Sequence, residues 1–164
     1  MRVLRFKVWR TVTVGVYASI QEDIDALEAV GMILSPQAYY LFNATGQVRS
    51  RCRLELDLVM PTLSELGFTS EATFVEVSDR VVDMGMDLTP WEAALDGRRR
   101  YGDQPITRER TPFIMKPFFS ASRAPCTLTL SHDEGFPPTL SCTSVAPKVR
   151  IAPHKHVLCC QSRT

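Results

Sequence analysis

The sequence contains no long apolar run and no large excess of charge of either sign. No stretch approaches the roughly 18 apolar residues that a membrane-spanning helix needs. Lys7 and Arg10 interrupt the apolar residues near the amino terminus, so no secretory leader is predicted. The formal net charge of +1 gives no general attraction to nucleic acid or to an anionic membrane. With 164 residues, 45% of them hydrophobic, the chain is predicted to bury the core of one integrated domain.

The chain also lacks the common catalytic and cofactor signatures. It has no P-loop, no dinucleotide-binding fingerprint and no HExxH motif, so no catalytic residue and no cofactor is predicted. Its five cysteines are an odd number without framework spacing, which favours reduced thiols in a cytoplasmic protein. Ser131-His132-Asp133 has hydrolase residue types, but these are neighbours in one predicted turn. A small hydrolase that uses His132 or Cys52 stays an alternative.

What the first hundred residues do contain is a series of well-marked strands and helices. A serine or threonine followed by glutamate or proline marks most helix starts, and glycine marks most helix ends. Alternating apolar and charged residues over 51–60 predict a strand with one wet face. The predicted elements are a strand over 5–17 with a bend at Gly15, a helix from Ser19 to Gly31, a helix from Ser35 to 43–46, a strand over 51–60, a helical turn over 62–67, a helix over 70–84 stopped by Gly85, and a helix capped by Thr89 that ends near Gly97.

Two parts of this region resemble each other when the chain is shifted by 54 residues. Residues 31–36, Gly-Met-Ile-Leu-Ser-Pro, align with residues 85–90, Gly-Met-Asp-Leu-Thr-Pro. This weak internal repeat predicts two strand–helix–helix units, each turning at a glycine corner. Chance matching of common helix-cap signals is the alternative explanation.

After Tyr101 the character of the chain changes, because proline recurs and no helical period survives. Short apolar runs remain at 113–115, 126–130, 139–145 and 157–160. Asp133-Glu-Gly135 lies between two of these runs and is typical of a hairpin turn. The expected fold is therefore α+β. It consists of a first unit and linking strand (1–60), an acidic helical unit (61–100) and a C-terminal antiparallel β region (101–164).

Four short stretches carry a resemblance to other proteins. They are Glu65–Phe68, Gly85–Pro90, Arg100–Pro105 and Ile114–Pro117. In this order they resemble a group of uncharacterised bacterial proteins with the pattern eLGF…GLxLxP…YxDQP…IxMxP. The resemblance covers about residues 1–118 and implies a bacterial or phage origin and a single integrated domain, but no activity. The chain departs from the group in Arg98–Arg100 and in its Pro-, Cys- and His-rich end.

The small total charge hides a strong asymmetry along the chain. Residues 61–96 hold eight acids and one base, a net charge of −7, and residues 97–164 hold eleven bases and four acids, a net charge of +7. In one interpretation the acidic helices and the basic tail lie close together and neutralise each other. In the other, one face is left charged for a partner.

The arginine-rich segment after the last predicted helix is the best candidate for a contact surface. Guanidinium groups pair bidentately with phosphates and carboxylates and stack on aromatic rings. The alternative is a solvated helix end, where cations favour the helix dipole. The predicted binding residues are Arg98, Arg99, Arg100, Tyr101, Asp103 and Gln104.

Two other site types have partial signals. Val81, Gly85 and Leu95 lie close to the spacing of a helix-turn-helix, yet this helix pair lies in the acidic segment, which would repel DNA phosphates. Zinc-ligand residue types occur at the end of the chain, but adjacent cysteines in a strand point to opposite sides, so no metal site is predicted. These residues are His154, His156, Cys159 and Cys160.

Together these observations favour a non-enzymatic binding module of the cytoplasm. A protein partner or an anionic ligand is the expected partner, nucleic acid is disfavoured, and no membrane contact is predicted. A helix-turn-helix nucleic-acid binder is the first alternative function, and the small hydrolase is the second.

Overall fold

The computed structural model describes residues 5–44, 49–161 and 163. The four described helices lie among strands in the part of the chain up to Arg99, and the described elements after it are strands, so the predicted α+β class is confirmed. The elements are β1 (Val8–Val14), α1 (Ile20–Ala29), β2 (Ile33–Leu34), α2 (Pro36–Ala44), β3 (Leu54–Val59), β4 (Ala72–Thr73), α3 (Phe74–Asp83), α4 (Trp91–Arg99), β5 (Thr107–Pro112), β6 (Phe118–Phe119), β7 (Pro125–His132), β8 (Thr139–Ser144), β9 (Arg150–Ile151) and β10 (Cys159–Gln161).

The described strands form three sheets. The first is antiparallel with the order β1-β3-β10, so strands from both ends of the chain flank the same central strand. The second has the order β2-β8-β7-β5, with β6 paired to β7. The third is the small antiparallel pair of β4 and β9. Among the described residues no helix is long and apolar enough to cross a membrane.

Two hydrophobic cores lie on opposite sides of a shared layer of extended chain. The first core gathers α1, α2, α4 and the inner face of β7, and the second surrounds α3. Neighbouring residues of the layer alternate between the cores, as the two-residue period of extended chain requires. Leu58, Phe113, Met115, Leu158 and Cys160 belong to the first core, and Val59, Ile114, Val157 and Cys159 to the second.

The predicted glycine corners have the same backbone geometry. Gly31 and Gly85 both have φ near +80°, at 79° and 81°. At each corner the glycine N–H donates to the carbonyl three residues back, and the following methionine N–H donates to the carbonyl five residues back. This is the Schellman arrangement that favours glycine after a helix. The side chains of Met32 and Met86, which follow the two glycines, are both buried.

Beyond the corners the two units differ. Both helices of the first unit contribute to the first core, whereas α3 contributes to the second core and α4 to the first. The position equivalent to β1 is a helical turn over 63–67, and only the two-residue strand β4 precedes α3. The similarity is therefore confined to the helix–glycine–helix corner.

Several local predictions are corrected by the packing. The predicted solvent-exposed face does not run along the whole of β3. Leu54 at its start is exposed, whereas Leu58 and Val59 at its end are fully buried, so the second half of the strand is covered on both sides. The run at 113–115 is not a regular strand, because β5 occupies 107–112 instead. Gly97 does not end α4, which continues to Arg99. The hairpin turn at 133–135 is present between β7 and β8, with Gly135 at φ 79°.

Candidate functional site

Arg98, the first predicted binding residue, lies fully inside the protein. Its guanidinium donates to the side-chain oxygen of Gln104 and to the backbone carbonyls of Tyr101, Ser131 and Thr139. No carboxylate of the described residues forms an ion pair with it. Burial lowers the pKa of Arg98 to about 10. Arg98 therefore ties the end of α4 to the turn end of the β7–β8 hairpin and is not offered to a partner.

Arg99 and Arg100 are held by two acidic side chains. Arg99 bonds to Asp23 at 2.5 Å and to Asp96 at 3.1 Å, and its side chain is only 12% exposed. Arg100 bonds to the other oxygen of Asp96 at 2.7 Å. Asp96 also accepts from the backbone N–H of Thr13 at 2.7 Å. Burial raises the pKa of Asp23, against the opposing effect of Arg99. This network joins α1, α4 and β1 and is mainly structural.

The remaining predicted binding residues divide between interior and surface. Gln104 is buried with Arg98. The Tyr101 ring meets the Trp9 ring edge-on at 4.9 Å and lies 5.8 Å from the Arg10 guanidinium. Asp103 is exposed and pairs with Arg10 at 3.4 Å. The six residues therefore do not form one exposed patch, and only Arg100, Tyr101 and Asp103 reach the surface.

The helix-turn-helix alternative lacks an accessible second helix. Every residue of α4 from Trp91 to Arg98 is buried, so this helix cannot enter a DNA groove in the folded protein. The predicted Thr89 cap is also wrong, because Pro90 occupies the cap position and the Thr89 hydroxyl makes no hydrogen bond to any residue that the structure describes.

The hydrolase and zinc residues are separated by the fold. His132 Nδ1 faces the Gln104 carbonyl at 2.6 Å, whereas Cys52 is exposed in the segment before β3. Cys159 and Cys160 point into different cores, and burial raises the pKa of their thiols to about 12 and about 11. Among the described residues no group of three or more His, Cys, Asp or Glu side chains is placed to hold a metal.

One cleft that the sequence did not indicate is largely apolar. It has a volume of about 550 Å³ and lies between the start of α2 and the β6–β7 hairpin. Tyr40 and Leu41 line it from α2, and Cys126 and Cys142 line it from the sheet. Among the described residues, no charged side chain lines this cleft.

A second depression, here called the basic groove, has the opposite character. Its volume is about 300 Å³, and it lies between β5 of the five-stranded sheet and β9 of the two-stranded sheet. Four basic side chains and one acidic side chain line it, together with an apolar floor to which α3 contributes Phe74. The basic residues are Arg108, Arg110, Arg150 and Lys155, the acidic residue is Glu71, and the floor includes Phe74, Pro112, Val145, Val149 and Ile151.

The fold explains why these cations share one groove. Arg108 and Arg110 both line the groove from β5, in the stretch between Thr107 and Thr111 where the register with β7 is irregular. Arg150 is held opposite them by the pairing of β9 with β4, where it faces Thr73. Phe74 and Val145 are buried beneath the cations and anchor the floor in the second core.

Three of the four cations already hold carboxylates of the chain. Arg110 pairs with Asp133 at 2.9 Å, and both side chains are at least 40% exposed. Lys155 pairs with Glu109 at 3.3 Å, and Arg150 lies 3.9 Å from Glu76 of α3. Arg108 is exposed and forms no ion pair with a described residue. Exposed pairs of this kind contribute little stability, so a ligand can replace them at low cost.

Sequence reasoning found the charge of this groove but not its place. The excess of bases after residue 97 was the signal, and Arg108 and Arg110 were not singled out. The pair of Arg150 with Glu76 of α3 fits the interpretation in which the acidic helices and the basic tail neutralise each other. The exposed Arg108 fits the other interpretation, in which one face is left charged for a partner.

The chain matches no known family model, no curated protein and no solved structure. The resemblance to bacterial proteins stated above therefore stays a prediction.

Proposed function

We propose that this protein is a non-enzymatic binding module that holds an anionic ligand, or an anionic part of a protein partner, in the basic groove. The observation that carries the proposal is the set of four cations around an apolar floor, with Arg108 free of any described ionic partner. A concave site with converging charge and apolar surface is what ligand recognition requires. Arg100 and Tyr101 supply a separate, smaller contact at most.

A cytoplasmic location is part of the same proposal. All five cysteines are free thiols in the structure, and three of them are buried in the cores or under the sheet. Thiols persist in this form in a reducing compartment. A bacterial or phage origin follows only from the resemblance.

The test is the binding of labelled poly-L-glutamate, followed by fluorescence anisotropy at low and high ionic strength. We expect salt-sensitive binding, because the contacts are exposed ion pairs. The double variant Arg108→Ala/Arg150→Ala is expected to bind five- to tenfold more weakly, since each lost exposed pair is worth up to about 1 kcal/mol.

The matched control is Arg53→Ala, which removes an exposed arginine just before β3 and outside the groove. It should bind poly-L-glutamate as the wild type does. Equal binding by the double variant and the wild type would contradict the proposal, as would no binding at low salt.

A further inference from the structure

We infer that the ligand of the basic groove is an acidic peptide segment that places one large apolar side chain on the floor and carboxylates against the surrounding cations. This inference rests on the proposed function, because it names the ligand class of the same groove.

The floor of the groove favours a peptide over a simple anion. Val149 and Ile151 are partly exposed there, above the buried Phe74 and Val145. A phosphate or a polyanion without apolar groups would leave this surface in contact with water. A volume of about 300 Å³ is at the small end for ligand sites and suits one large side chain with its adjoining backbone.

The arrangement of the cations points to several separate carboxylates. Arg110, Arg150 and Lys155 pair with acidic residues from three different elements: the β7–β8 turn, α3 and β5. These contacts show that each of the three cations is positioned to bind a separate carboxylate. A single phosphate group is instead bound by donors that converge on one point. Acidic residues spread along an extended peptide match the observed distribution.

The acidic border of the groove disfavours duplex DNA. Glu71 lines the groove and Glu76 lies beside Arg150. A duplex is much wider than this groove and would bring its phosphates against these carboxylates. A short peptide can lie within the groove and leave the border uncovered.

The experiment compares two labelled peptides of about ten residues by fluorescence anisotropy. Both consist of glutamates around one central position, which is phenylalanine in the first peptide and glycine in the second. We expect the phenylalanine peptide to bind about tenfold more tightly, because its ring is removed from water on the floor. Unlabelled duplex DNA and inorganic pyrophosphate serve as competitors.

Two variants separate the floor from the cations. Val149→Ser should remove most of the preference for phenylalanine and leave the binding of the glycine peptide unchanged. Arg108→Ala should weaken both peptides by a similar factor, and Arg53→Ala should affect neither. Matching far-UV spectra and unfolding midpoints establish that the variants are folded.

The possible results distinguish the two proposals. Equal binding of both peptides that depends on Arg108 would overturn the peptide inference and leave the anion-binding function standing. Tighter binding of duplex DNA or pyrophosphate than of the phenylalanine peptide would do the same. If neither peptide, neither competitor nor poly-L-glutamate binds, the proposed function itself fails.

Discussion

Arg98 shows how one buried charge can organise a loop. It is among the largest fully buried side chains of the described residues. Its guanidinium donates to the Tyr101 carbonyl after α4 and to the Ser131 and Thr139 carbonyls at the turn end of the β7–β8 hairpin. The cost of burying the guanidinium is offset in part by these hydrogen bonds, while the Arg98 Nε lies buried without a hydrogen-bond partner among the described residues.

Replacing Arg98 should therefore destabilise the fold rather than alter a surface. We expect Arg98→Met, which keeps the bulk but removes the donors, to lower the free energy of unfolding by about 3 kcal/mol. The measurement is urea denaturation followed by circular dichroism. Arg53→Met, at an exposed position, should change stability by less than about 0.5 kcal/mol. An Arg98→Met variant as stable as the wild type would contradict the structural role.

Two glycines with the same backbone angle should respond differently to alanine. At Gly31 (φ +79°) an added Cβ meets no atom of a described residue within 4 Å, so Gly31→Ala should cost only the left-handed strain of about 1 kcal/mol. At Gly15 (φ +72°) the Cβ would lie 2.2 Å from the Cys52 carbonyl oxygen, so the backbone must move. Gly15→Ala should therefore be clearly the less stable variant in urea denaturation, and the opposite order would disprove this reading of the close approach.

At the scale of elements, local signals in the sequence were sufficient where a helix end is stabilised by its own neighbours. Ser19 caps α1 through the Glu22 N–H, as the sequence predicts. The helix predicted to begin at residue 70 begins instead at Phe74, where Thr73 and Glu76 form a reciprocal capping box that the prediction missed. The same reasoning failed at α4, because Glu92 accepts a hydrogen bond from the distant Ser50 N–H instead of closing a cap. Long-range packing decided that helix start.

The candidate site could not be predicted for a related reason. The basic groove takes side chains from β5, β9 and the start of α3, which are up to about eighty residues apart in the chain. The pairing of β9 with β4 places Arg150 beside the start of α3. The sequence indicated basic residues and strands separately, but two-residue strands such as β4 and β9 have no periodic pattern from which to infer that pairing.

Substitutions at Gly97 can show how closely α4 is packed against its neighbours. The glycine lies inside the helix, and an added Cβ would touch the Phe113 ring at 3.4 Å and Leu58 at 3.5 Å, which are ordinary contact distances. Gly97→Ala should stabilise the protein by about 0.5–1 kcal/mol through helix propensity. Gly97→Val adds two methyl groups to a filled site and should destabilise it by about 1–3 kcal/mol. Thermal unfolding of both variants checks the pair, and a stabilised valine variant would be the contrary result.

At the scale of the whole molecule, the shared layer couples the two cores. Leu58 and Val59 are adjacent, fully buried and directed to opposite cores. Phe113 and Ile114, and likewise Leu158 and Cys159, repeat this division. Neither core can lose its packing without displacing residues of the other.

We therefore expect one cooperative unfolding transition. The fluorescence of Trp91 in the first core and of Trp9 packed against it reports that core, and hydrogen exchange of the α3 amides reports the second. Both should give the same unfolding midpoint in urea, as two-state behaviour requires. Val59→Ala should lower the two midpoints together by removing buried methyl groups. A second core that opens at a lower urea concentration would show that the layer does not couple them.

The meeting of β1 and β10 on β3 also constrains when the protein can fold during synthesis. The backbone N–H of Phe6 donates to the Gln161 side chain at 2.9 Å, so residues from both ends close the same sheet. Residues 157–160 complete both cores. A nascent chain on the ribosome must hold its earlier segments, with their apolar faces uncovered, until residue 161 has emerged from the exit tunnel.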